Sequence, residues 1–177
     1  MNEIAKHHRA EILKYLNDRF SIKGSCFENF SFYRPNSRYL NIIHKSHKLD
    51  HRFKIESLGM EFIKTRSKEP KLTTVATAMF GAFATKNYID LRNEDLTPYL
   101  SRASWISQRQ PHVESPGYVI VRYEGINLGL AFMRYENDNH QIESLFPKGR
   151  VKALSVNSKE GNRHSLTRAS QSFDLIT

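Results

Sequence analysis

Four cations fall within eight positions in the run Lys64-Thr65-Arg66-Ser67-Lys68-Glu69-Pro70-Lys71, which contains no apolar residue. Closely spaced ammonium and guanidinium groups release condensed counterions from a phosphate backbone, so this pattern points to a polyanionic ligand. Directly after it, Thr73 or Thr74 can cap a helix predicted to run to about Ala84. The free N–H groups at a helix start favour phosphate oxygens. Lys86 follows the same helix. Lys64, Arg66, Lys68, Lys71, Thr73 and Lys86 are therefore the candidate phosphate-binding set read from residue type and spacing. The competing reading is a solvated basic turn.

Other chemistry is less well supported. His44, His47 and His51 are spaced so that their ring nitrogens could share one side of a helical turn, as metal ligands require. No Cys, Glu or second His pair completes such a site, and Lys45, Lys48 and Arg52 would repel a cation. No metal or cofactor is assigned. Asp90, Glu124, Asp138 and Glu143 could do acid or base work beside a basic cleft. Each also reads as a turn or solvent-facing residue, so no catalytic residue is assigned. Trp105 and Tyr123 could stack on bases, with a place in the aromatic core as the competing role.

Composition narrows the class. The chain has 177 residues, 39% of them hydrophobic, enough for an ordinary domain with a core. Its formal charge of +9 fits a polyanionic partner. The one cysteine, Cys26, excludes an intrachain disulfide framework and a cysteine-rich zinc site, and it is consistent with a reducing compartment. No run approaches the roughly 18 apolar residues of a membrane span, and the N-terminus lacks the hydrophobic core of a signal peptide. A cytoplasmic protein with no membrane partner is expected.

The elements that must position these residues follow from periodicity. The clearest is 117–133, where Val119, Val121 and Tyr123 alternate with Tyr118, Ile120 and Arg122. Glu124-Gly125 then supplies a tight turn, and a second apolar strand is broken by Gly129, a site for a bulge or a close backbone approach. Residues 3–20 read as an amphipathic helix capped by Asn2. Two aromatic runs, 30–33 and 39–43, flank the turn signal Arg34-Pro35-Asn36-Ser37 and predict a small hairpin. Residues 44–52 read as a loop and 53–65 as strand. The helix from Thr73 is apolar on most sides and is expected to be buried. A strand at 88–91, a helix at 94–100 capped by Asn93, a linker at 102–116, a turn at 145–150 and a strand at 151–156 complete the body. The polar segment 157–177 reads as a tail disordered in the free chain, with an apolar end at 173–176.

Several strands with short helices between them predict an α+β fold, a small mixed barrel and not a parallel α/β sheet. The order LGMEFIKTRSKEPKLTTVATAMFGAFATKNYIDLRNEDLTPYL, then GYVIVRYEGINLGLAF and LFPKGRVKAL, resembles the PUA-like C-terminal domain of the Sun/Fmu/Nop family of RNA cytosine-5 methyltransferases. Upstream, AEILKYLNDRFSI and FENFSFY are similar to the small α/β lead-in that precedes that domain in archaeal-type relatives. The resemblance covers about residues 9–154 and rests on apolar periodicity with Gly59, Gly81, Gly117, Gly125, Gly129 and Pro147.

The resemblance implies a PUA-like mixed β pseudo-barrel that binds structured RNA between its first helix, with the loop before it, and its closing strands. By that match Arg122, Lys148, Arg150 and Lys152 form a second jaw opposite the basic loop. It also implies a division into an N-terminal helix-and-hairpin unit at 1–50, a PUA-like RNA-binding domain at 51–156 and the tail at 157–177. The chain departs from those methyltransferases in lacking a glycine-rich strand-to-helix loop for S-adenosylmethionine, and it has one cysteine where their catalytic domain uses two. Methyl transfer is therefore not carried over.

The expectation is a non-catalytic protein that binds structured rRNA or tRNA and supports an RNA-modifying enzyme or a ribosomal particle. The PUA-like superfold also includes the ASCH group, some of whose members are proposed enzymes, so an RNA-processing enzyme is the first alternative. A protein-interaction adaptor whose charge meets an acidic partner is the second.

Overall fold

The computed structural model describes residues 2–47, 58–66, 69–108, 110–136 and 139–149. The strand expected at 151–156, the tail at 157–177 and the first part of the strand at 53–65 lie outside the described residues.

Strand β1 (Asn2–Glu3) and helix α1 (Lys6–Phe20) open the chain. Along α1 the apolar spacing works as expected, with Leu16 and Phe20 buried and Ile12 and Leu13 half-buried. The helix starts later than predicted. Asn2 is not its cap, because Asn2 and Glu3 pair with Arg34 and Tyr33, and Ala5 takes the cap position with no side-chain hydrogen bond. A 3-10 turn at Gly24–Phe27 leads into β2 (Phe30–Arg34) and β3 (Tyr39–His44), the expected hairpin. Its turn is held by Asn36, whose side-chain oxygen accepts from the N–H groups of Arg38 and Tyr39 at 2.8 and 3.1 Å.

β4 (Met60–Lys64) and β5 (Lys71–Leu72) extend this hairpin to an antiparallel sheet in the order β1-β2-β3-β4-β5. The boundary expected at residue 50 therefore falls between two paired strands of one sheet. Helix α2 (Thr74–Phe80) follows, continued by a 3-10 turn at Gly81–Phe83. Of the two threonines that could cap it, Thr73 does so, accepting the Ala76 N–H at 3.1 Å.

The second sheet is built from β6 (Tyr88–Asp90), β7 (Ser104–Ser107), β8 (Gly117–Tyr123), β9 (Ile126–Glu136) and β10 (Asn139–Ser144) in the order β6-β8-β9-β10-β7. Among the described strands only β6 and β8 run parallel. Helix α3 (Asn93–Ser101) lies between β6 and β7 in sequence. Asn93 is its first residue, not its cap; Arg92 stands at that position, and Pro98 is inside the helix. Two segments differ from expectation. The linker 102–116 contains β7, and Glu143, read as a turn or solvent-facing residue, lies within β10. The fold is α+β, and the described strands form two open five-stranded sheets with no closed barrel among them.

The β8–β9 hairpin stands between two cores. Ile120 and Leu130 join Leu16, Phe20, Phe27, Phe32, Phe62 and Phe80 in the first. Val119, Val121, Ala131 and Met133 join Ile89, Tyr99, Ile142 and Phe146 in the second. Strand alternation sends neighbouring side chains to opposite faces, which is why one hairpin serves both. Glu124 and Gly125 at its tip both take positive φ, 48° and 77°, the tight turn that fits twisted strands. Gly129 has φ +150°, and a β-carbon there would lie 2.8 Å from the Tyr99 hydroxyl, which meets the close approach expected at this position. Arg19 ties α1 to the lead-in of β8: its guanidinium donates to the carbonyls of Ser115, Pro116 and Tyr118 and to the Ser115 hydroxyl, at 2.7–3.1 Å.

Candidate nucleic-acid interface

The basic run divides between two short strands. Lys64 ends β4 and Lys71 begins β5, and the two are direct partners across the antiparallel ladder. Their neighbours Ile63 and Leu72, also paired, point into the core. Alternation therefore turns both lysines to the opposite face. Like charges directly opposite on a ladder are destabilising. The Lys64 ammonium lies 5.6 Å from the centre of the Tyr39 ring, and that of Lys71 5.6 Å from the centre of Tyr118. Both rings supply a negative face that offsets part of the repulsion. Lys71 is half-buried, and its pKa is pushed down first by burial and then by Lys64 and Arg102, with Glu143 opposing.

These lysines form one wall of an open cleft of about 530 Å³, together with Glu61, Thr73, Thr74 and Val75. The rest of the lining is Arg102, Leu145, Pro147 and Lys148, from the segments that follow α3 and β10. It is rigid for identifiable reasons. Phe146 is buried against the Tyr99 ring at 5.5 Å. The Ser144 hydroxyl donates to the Tyr99 carbonyl at 2.6 Å and accepts the Phe146 N–H at 3.2 Å. Arg102, left-handed at φ 65° just past α3, donates to the Phe146 carbonyl. Its guanidinium is thereby held toward the cleft.

Of the candidate residues, Lys64, Lys71, Thr73 and Lys148 come together here. Thr73 is placed as a structural residue. Its hydroxyl caps α2 and donates to the Glu61 carbonyl at 2.6 Å, so it has no donor left for phosphate. Arg66 is exposed and does not line the cleft. Lys86 pairs with Glu114 at 3.1 Å, outside the cleft lining.

Arg122 does not form part of the second jaw. It donates to the carbonyls of Gly81 and Ala84 at 2.6 and 2.7 Å, and its guanidinium stands 4.0 Å from the Tyr88 ring centre, clamping the end of α2 and its 3-10 turn onto β8. Lys68, Arg150 and Lys152 lie outside the described residues. Sequence reasoning missed Arg102. It sits in a stretch read as linker, and only the packing of α3 on β10 brings it within reach of Lys71.

The remaining chemistry is dispersed. Among the described residues no group of three His, Cys, Asp or Glu could hold a metal ion. His44 meets Ser46 at 2.6 Å, and His51 lies outside the described residues. Glu143 pairs with Arg134 at 3.1 Å, and Glu124 and Asp90 are exposed. Trp105 packs against the second core, and the Tyr123 hydroxyl donates to Asn93 at 3.0 Å. Among the described residues no helix is long and apolar enough to cross a membrane. In comparison with known proteins, no family model and no curated sequence matches this chain.

Proposed function

We propose that this protein is a non-catalytic RNA-binding module that holds a phosphate backbone in the cleft between the β4–β5 end and the segment after β10. The observation that carries this reading is the convergence of Lys64, Lys71, Arg102 and Lys148 from three separate parts of the chain on one trough. Among the described residues none of the four has a carboxylate partner at ion-pair distance, and Lys71 feels both Lys64 and Arg102 as repulsion. A row of phosphates would relieve that repulsion.

The resemblance to the PUA-like domain of RNA methyltransferases supports RNA over other polyanions, with structured rRNA or tRNA as the ligand and an RNA-modifying enzyme or ribosomal particle as the setting. Phosphate contacts of this kind fix position and register, and A-form RNA is recognised chiefly by shape.

A salt titration of RNA binding tests the reading. Four phosphate contacts are expected to give a slope of log K against log salt of about −3, at −0.7 to −0.9 per contact. Replacing Lys64, Lys71 and Lys148 together by Ala should flatten most of it. A shallow slope in the native protein, or one unchanged by the triple replacement, rejects the cleft. Labelled RNA incubated with the protein should be recovered intact and unmodified.

A further inference from the structure

Helix α2 differs from expectation on one face. Ala76 and Phe80 enter the first core, but Val75, Met79 and Phe83 are 51%, 50% and 52% exposed. Val75 and Met79, four apart, share one face of the helix, and Phe83 ends the 3-10 extension that continues it. Single exposed apolar residues are ordinary. Three on one helix and its extension, beginning at a residue that also lines a cationic cleft, form an exposed apolar stripe.

We propose that this stripe seats unpaired bases of the same RNA whose phosphates the cleft holds, so that the preferred ligand carries a single-stranded segment next to its structured part. The inference rests on the RNA-binding reading of the cleft. Val75 belongs to both surfaces, so a strand leaving Lys64 and Lys71 passes directly onto Met79 and Phe83. At about 1.5 Å per residue in the helix and about 2.0 Å in the 3-10 extension, Val75 to Phe83 spans about 13 Å, room for about three bases stacked at about 3.4 Å.

The chemistry of the stripe fits base faces. An aromatic ring and a polarisable thioether accept any base without reading its sequence. The faces of paired bases are already covered by their neighbours, which leaves unpaired ones to occupy it. Three half-exposed side chains offer at most a few hundred Å², well short of the ~800 Å² per partner of a stable protein interface.

The test compares binding of the full chain to a blunt RNA duplex and to the same duplex with a single-stranded overhang bearing 2-aminopurine. The overhang should tighten binding about tenfold and its fluorescence should be quenched. Phe83→Ser and, separately, Met79→Ser should remove that advantage while leaving affinity for the blunt duplex unchanged. Circular dichroism checks that each variant is folded. Phe83→Trp should preserve the advantage and have its own emission quenched above the Trp105 background.

Equal affinity for the two RNAs, or an advantage that survives both serine variants, overturns the inference and leaves the cleft reading standing. Failure of both RNAs to bind at low salt removes the cleft reading and this inference with it. If sedimentation shows that Phe83→Ser dissolves a dimer, the stripe belongs to a second copy of the chain and the inference is overturned.

Discussion

Lys64 and Lys71 stand directly opposite each other on neighbouring antiparallel strands, a like-charge pair lining a cleft that Arg102 and Lys148 line as well. The pair opposes folding, and an anion bound beside it would relieve the repulsion.

Replacing Lys71 by Met should separate these two effects. The Lys71 ammonium is held below its ordinary pKa by burial and by Lys64 and Arg102, so the unfolded chain binds this proton more tightly than the folded one. The resulting cost to stability is present in full at neutral pH. It diminishes as pH rises through the window from the folded value to the unfolded value of about 10.4. Lys71→Met is therefore expected to stabilise the protein by about 0.5–1 kcal/mol at pH 7 in urea denaturation, with the gain shrinking toward pH 10. The same variant should lower the salt slope of RNA binding by about 1.

Thr73→Ala addresses a residue whose place in the sequence suggested phosphate binding and whose hydrogen bonds mark it as a cap. A loss of about 1 kcal/mol in stability is expected, with the salt slope of RNA binding unchanged. Thr73→Ser should restore the stability. A changed slope in the alanine variant would return Thr73 to the ligand-binding set.

Arg122 is expected to behave as a clamp. Arg122→Met loses two charged hydrogen bonds to carbonyls and the contact with Tyr88, and about 2–3 kcal/mol of stability should go with them. RNA affinity, measured well below the melting temperature, should keep its salt dependence. Lys86→Ala, which removes only a partly exposed pair with Glu114, should alter neither.

Gly129→Ala places a β-carbon against the Tyr99 hydroxyl at a φ of +150°. A cost of about 2 kcal/mol is expected from the strained backbone and the clash. Adding Tyr99→Phe should recover part of it by removing the atom that is struck, although the hydroxyl's 3.3 Å hydrogen bond to the Leu130 carbonyl is lost as well. Urea denaturation of the single and double variants measures the recovery.

The parts legible in the sequence were those decided locally. The hairpin at Gly117–Tyr123 and Ile126–Glu136 follows from period-two alternation and a turn pair, and the start of α2 from a threonine beside an apolar run. Strands β7 and β10 were missed because neither alternates: β7 sets Trp105 and Ile106 side by side between serines, and β10 has Ile142 as its one apolar residue. They are strands because β10 pairs with β9 on one side and with β7 on the other. Asn2 looked like a cap, but pairing with Arg34 captured it for a sheet edge.

In the cleft, the lysines were legible as a cluster. Arg102, which lines the same cleft, was not, because thirty-one positions separate it from Lys71 and only tertiary packing closes that gap. Arg122 shows the converse case. Its charge was visible in the sequence, while the two carbonyls that accept from it were not.

Because the β8–β9 hairpin lends alternate side chains to both cores, neither half of the molecule keeps its inner wall if that hairpin parts. Melting should accordingly be cooperative across the two sheets, and the slowest-exchanging amides of β3 and β9 should share one opening free energy. A ligand that grips the cleft would then raise the resistance of the whole body to unfolding, including strands it never touches.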